Sequence, residues 1–143
     1  MNNEITLTYY AKITQESDGY IVTFRDLSNV FTEGDSLEEA LFNAQEALDG
    51  VLLSMMEEDH DIPYPSKAKT DEHPIPLSPN IAAPILLYLL RKQRAQTMTH
   101  VANAMHVPYQ QYQRLEHNCN MTLKSLNRAA AAMGGRVEIK LYL

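Results

Sequence analysis

An α+β fold in two parts is predicted by three observations. Residues 5–35 carry alternating apolar positions broken at Asp18-Gly19 and Gly34, the pattern of short strands joined by tight turns. One long apolar stripe then recurs at spacings of three and four from Leu37 to Met55, the mark of an amphipathic helix. Beyond a proline-rich stretch the helical period returns in several shorter segments and the charge changes sign. Residues 1–79 carry 16 acids against 4 bases, net −12, whereas residues 80–143 carry 8 bases against 2 acids, net +6.

Each element has a local reason. Glu4 to Thr14 is rich in β-formers and alternates at Ile5 and Leu7, which predicts a first strand. Ser17-Asp18-Gly19 is a hairpin turn, because glycine accepts positive φ at little cost. Tyr20, Val22 and Phe24 share one face of the return strand, and Val30 to Glu33 is a short third strand closed by Gly34. Ser36 with Glu39 three positions on is a capping box, so the long helix starts there and ends near Glu58. Five prolines at 63, 65, 74, 76 and 79 follow, and Pro74 to Leu77 suits only an edge strand, since proline donates no ladder bond. The boundary is placed here, giving parts 1–78 and 79–143.

In the second part Ile85, Leu86, Leu89 and Leu90 predict a helix running to about Ala95, with Pro84 confined to its first turn. Thr97 to Met105, Tyr109 to Glu116 and Leu123 to Met133 read as three more helices, the last stopped by Gly134-Gly135. Arg136 to Leu143 alternates, with Val137, Ile139 and Leu141 on one face. That is a strand without a partner in a helical part, so pairing with a second copy is expected.

Composition bounds the classes. Parts of this size are marginal alone, so a dimer, or a higher oligomer such as a tetramer, is expected. Cys119 is the only cysteine, which fits a reducing compartment. The opening Met1-Asn2-Asn3-Glu4 lacks the basic and apolar regions of a signal peptide, and the longest apolar stretch, Ile81 to Leu90, is half of a bilayer crossing. A cytoplasmic protein with no membrane partner is the expectation. The acidic part suits a cationic protein and the basic part a polyanion.

The most specific motif is Thr97 to Glu116. Val101, Ala102 and Met105 lie on one helix face, Val107 sits in a turn, and Tyr112 with Leu115 forms the inner face of the next helix. This is helix-turn-helix spacing. Ala102 must be small where the second helix crosses; His106 stands where helix-turn-helix domains of the type this run resembles commonly have a turn glycine, a departure that His tolerates better than most residues. The run resembles DNA-binding domains of the lambda repressor and Cro type, including the closing Arg114-Leu115-Glu116. Tyr109, Gln110 and Gln113 would then face bases, Arg114 a base or phosphate, and Gln96 and Thr99 would clamp phosphates. The plain alternative is a helical hairpin with a polar outer face.

A second resemblance covers residues 5 to about 78. Gly19 to Leu27, Thr32-Glu33-Gly34-Asp35-Ser36, Glu39-Ala40, Glu46-Ala47-Leu48 and Ile62-Pro63-Tyr64-Pro65-Ser66 together resemble the HicB antitoxin family. With the second part, the chain resembles the subgroup that carries a helix-turn-helix. The resemblance implies a partial ribonuclease-H-like β-β-β-α-β domain, a HicA-like toxin partner that cleaves mRNA, and autorepression through operator DNA. Toxin contact is expected at the acids Glu57, Glu58, Asp59 and Asp61 and at Tyr64 between its prolines, although a solvated charge run explains the acids equally.

No enzyme is expected. Asp18, Asp26, Glu33 and Asp35 fall in turns and strand ends, where solvated carboxylates are routine, whereas metal-dependent nucleases need carboxylates converging on cations. Histidines 60, 73, 100, 106 and 117 have no metal-ligand spacing with Cys119, so neither metal nor cofactor is expected. The competing function is a stand-alone transcription factor whose first part senses a small ligand.

Overall fold

The alternation of the first residues becomes three strands, β1 (Thr8–Glu16), β2 (Gly19–Phe24) and β3 (Phe31–Gly34). A computed structural model of the chain describes residues 4–143. Met1-Asn2-Asn3, part of the signal-peptide reading, lies outside the described residues. Strand β1 starts later than the predicted Glu4. Its buried positions are Tyr9 and Ala11, preceded by buried Leu7, so Ile5 takes no part in the ladder. Glu16 pairs with Gly19, leaving Ser17-Asp18 as a two-residue turn. Gly19 is needed for space: a Cβ there would lie 2.6 Å from the Gly34 carbonyl oxygen.

Helix α1 (Leu37–Glu57) lies against one sheet face through Ala40, Ala44, Leu48, Leu52 and Met56, a row at i, i+4 spacing. Its two leucines and methionine stabilise the unit by about 1.5–3 kcal/mol each. The Ser36 hydroxyl caps the first turn by accepting from the Glu39 N–H at 3.1 Å. Leu37, counted in the predicted stripe, is 40% exposed, because the row turns away from it. Alanines set a close approach to the sheet, and a Cβ on Gly34 would fall 2.4 Å from the Ala40 nitrogen. Strand β4 (Glu72–Pro76) joins β1 at the far edge, giving the antiparallel order β3-β2-β1-β4 with both of its prolines exposed.

Hydrogen bonds from side chains pin the connection between α1 and β4. Tyr9 Oη donates to the Pro63 carbonyl at 2.7 Å. Asp26 accepts from both the N–H and the hydroxyl of Ser66, at 2.7 and 2.6 Å. Asp49 holds Ser78 in the same way, at 3.0 and 2.5 Å. These strands, α1 and β4 belong to one compact unit, Thr6–Ala82.

The second unit is Ala83–Leu143 with Glu4 and Ile5, and the division falls inside α2 (Pro79–Gln93). That helix begins earlier than predicted, so Pro84 stands in its second turn. Proline there removes the N–H that would meet the carbonyl of Asn80, an exposed residue four positions back. Helices α3 (Met98–Met105), α4 (Tyr109–Leu115) and α5 (Leu123–Ala132) complete the unit. Its core gathers Leu87, Val101, Ala102, Met105, Tyr112 and Leu126, with Val107 and Val137 packed against it. Thr97 and Thr122 cap α3 and α5 by accepting from His100 and Ser125 N–H groups at 3.1 and 3.0 Å.

The expected terminal strand is not formed within the chain. Among the described residues, 136–143 have no ladder partner; Ile139 and Leu141 are 67% and 95% exposed, whereas Val137 packs against the core. A strand requires a neighbour for its N–H and C=O groups, and the described residues supply none. No helix among the described residues is long and apolar enough to cross a membrane.

Candidate functional site

The helix pair α3–α4 owes its geometry to one backbone residue. His106 closes α3 in left-handed conformation, φ 59° and ψ 42°, and its N–H returns to the Asn103 carbonyl at 3.1 Å. Val107 N–H bonds the Ala102 carbonyl at 3.0 Å, and Pro108 starts α4 with its fixed φ of −62°. Ala102, 1% exposed, lies in the core that the two helices share.

Around α4 the side chains divide sharply. Tyr112 is fully buried and Leu115 half-buried, whereas Tyr109, Gln110, Gln113 and Arg114 are exposed. The exposed set is amide, phenol and guanidinium with no carboxylate, a donor-rich surface suited to base edges and phosphates. Thr99 is exposed on the first turn of α3. Gln96 differs: its Oε1 atom is buried without a hydrogen-bond partner, so its carbonyl end faces inward and its backbone carbonyl accepts from Arg91 at 3.2 Å.

Beneath this surface lies a feature that periodicity did not reveal. Arg91 on α2 donates to the Glu116 carboxylate through Nε and Nη2, at 2.6 and 3.0 Å, with both residues buried. The hydrogen bond to Glu116 raises the Arg91 pKa against the opposing effect of burial. Burial and then the Glu116 charge push the Tyr112 phenol well above its usual range. The pair ties α2 to the end of α4 and so fixes the angle at which α4 is presented. Twenty-five residues separate its members, too far for any local pattern to mark.

In the other unit the predicted acids gather at the end of α1. Glu57 is the last helical residue, Glu58 the C-cap, Asp59 takes left-handed backbone at φ 55°, and Asp61 follows; all are exposed. Glu58 lies 3.5 Å from the His60 ring. Tyr64 is 46% exposed, and partial burial raises its phenol pKa. Ile62 is buried and Pro63 accepts the Tyr9 hydroxyl bond, so Asp61 and Tyr64 flank an anchored segment. Val137, Ile139 and Leu141 of the terminal segment progress from half-buried to exposed. Of the carboxylates considered for a nuclease, Asp26 is occupied by Ser66, and no group of three or more potential metal ligands occurs among the described residues.

Residues 8–86 match the family model described as the HicB-like antitoxin of bacterial toxin-antitoxin systems. The chain is 30% identical over 129 residues to Antitoxin HicB 1 of Photorhabdus laumondii, covering 88% of this chain and 81% of that one. It is 28% identical over 122 residues to Antitoxin HicB of Escherichia coli K12, covering 85% and 88%. A 57-residue stretch is 37% identical to an uncharacterized 14.9 kDa protein of Haemophilus phage HP1, covering 40% of this chain and 43% of that one. With the family match spanning the β-sheet unit and the relatives extending over most of the chain, the protein belongs to the HicB-like antitoxin family.

Proposed function

We propose that the protein neutralises a HicA-type mRNA-cleaving toxin through residues 1–78 and represses its own operon through residues 79–143. The observation that carries the DNA half is the division around α4, with Tyr112 in the core and Tyr109, Gln110, Gln113 and Arg114 outward on a unit rich in cations. This arrangement fits a lambda-repressor-like helix-turn-helix whose second helix enters the major groove. Thr99 contacts phosphate beside it, and Gln96 does so through its amide nitrogen, because its oxygen faces inward.

The order β1-β2-β3-α1-β4 fits a partial ribonuclease-H-like domain acting as a binding module, with Glu57, Glu58, Asp59, Asp61 and Tyr64 meeting a basic toxin. Val137, Ile139 and Leu141 pair with a second copy, and two recognition helices then reach successive major grooves, about one helical turn or a multiple apart. Expression together with the adjoining reading frame, followed by co-purification and operator binding, tests both halves. Recovery of a small basic partner and a footprint upstream of the gene are expected. Recovery of the chain alone, without DNA binding, would refute the reading.

A further inference from the structure

The acidic unit keeps its few cations together. Only four basic residues precede position 80, namely Lys12, Arg25, Lys67 and Lys69. Three of them line one open cavity of about 540 Å³, and the fourth, Lys67, supplies the carbonyl that accepts from Arg25 at 2.9 Å. The register places this cavity on the sheet face opposite α1. Lys12 stands beside Thr23 on β2 and Glu72 on β4, while the intervening positions Ala11, Val22 and Phe24 are the buried ones.

The cations have unequal roles. Arg25 is a scaffold: it grips Glu72 through Nε and Nη2 at 3.1 and 2.8 Å. The Lys69 N–H adds a third bond to that carboxylate at 2.7 Å. The ammonium groups of Lys12 and Lys69, by contrast, have no carboxylate within ion-pair distance among the described residues. Thr23 and Thr70 line the same cavity, and Asp71 is its remaining acid. The cavity is therefore net positive inside a strongly negative unit. Arg25 also lies 3.8 Å from Asp26, and the lining itself sets Lys12, Arg25 and Lys69 against Asp71 and Glu72, one cation in excess.

We infer that this cavity binds a phosphate group, either free or as the ester of a small molecule. A phosphate monoester carries about −1.5 to −2 charges and three acceptor oxygens, matching two ammonium groups and two hydroxyls where a single carboxylate would not. The part that holds the cavity carries net −12, which disfavours an extended polyanion relative to a single phosphate group. The site uses residues of the sheet unit other than the acids at the end of α1 and involves none of α3 or α4.

The test is titration of the isotope-labelled full chain with inorganic phosphate and, separately, with AMP, at constant ionic strength with chloride as control. Saturable amide shifts at Lys12, Thr23 and Thr70 are expected, with an apparent Kd of about 1 mM or tighter. The double variant K12A/K69A is expected to bind roughly tenfold more weakly, as loss of two nearby charges implies. The variant K67A, altered outside the cavity, keeps the affinity. Tighter binding of AMP than of phosphate identifies an ester ligand, and the reverse identifies the free anion. Absence of saturable shifts with both ligands, or equal binding by K12A/K69A, overturns the inference.

Discussion

Replacing Glu116 by alanine removes one half of a buried ion pair and leaves the other half in place. Arg91 and Glu116 are 8% and 2% exposed and share two hydrogen bonds, so water is a poor alternative partner, above all for Glu116. Breaking such a pair from one side costs about 3–5 kcal/mol. The lower end of that range applies here, about 3 kcal/mol, because Arg91 keeps its bond to the Gln96 carbonyl at 3.2 Å. Removing both charges is a different perturbation. In R91M/E116L no charge is stranded, and the double variant should lie within about 1–2 kcal/mol of the original. The assay is urea unfolding of the full chain, read by amide hydrogen exchange in α3, α4 and α5 so that the helical unit is followed separately. A cost below about 1 kcal/mol for E116A, or a double variant worse than E116A, would refute the reasoning.

Further expectations concern the other features. Gln110→Ala and Arg114→Ala should each weaken operator binding by about 1–3 kcal/mol, measured by fluorescence anisotropy, and affinity should fall steeply with salt; unchanged binding by both variants would exclude α4 as the reading helix. Gly34→Ala should destabilise the sheet unit by about 1–3 kcal/mol or more in thermal melts, since its Cβ would meet the α1 backbone at Ala40. Glu72 is held down to about 2, first by the Arg25 hydrogen bond and then by the Lys69 N–H. Its depressed value means a contribution present above the ordinary carboxylate pKa and lost as pH falls from about 4.5 towards 2. E72Q should therefore show a flatter decline in Tm across that window than the unmodified chain. Ile139→Asp with Leu141→Asp should convert a dimer to monomers in sedimentation equilibrium without unfolding α2 to α5.

Local signals were legible where chemistry acts over a few residues. Ser36 caps the helix it precedes, and His106 takes the left-handed turn at the position where the resembled family commonly has glycine, whereas the caps Thr97 and Thr122 were not singled out in the sequence. Stop signals worked equally well, with Gly134 at φ 80° just past α5. What escaped was long-range or two-sided. Ile5 continued an alternation that the sheet does not use, because pairing with β4 begins at Thr8. The Arg91–Glu116 pair and the clips made by Asp26 and Asp49 join residues 25 to 40 positions apart and leave no periodic trace. The lining of the cation-bearing cavity emerged only from strand register, which sets Lys12 beside Thr23 and Glu72. Alternation at Val137, Ile139 and Leu141 marks a pattern, but a strand is a property of two segments, and residues 136–143 have no ladder partner among the described residues.

The central claim is that opposite ends of the chain hold macromolecules of opposite charge. Its most direct test is the mass and composition of the complex formed on co-expression with the adjoining reading frame, measured by native mass spectrometry with and without an operator duplex. One assembly containing this chain, a small basic protein and the duplex is predicted, from which charge reversal at Glu57, Glu58, Asp59 and Asp61 removes only the protein and R114A only the DNA. Loss of both partners from either variant, or failure to capture either partner with the unmodified chain, would contradict it.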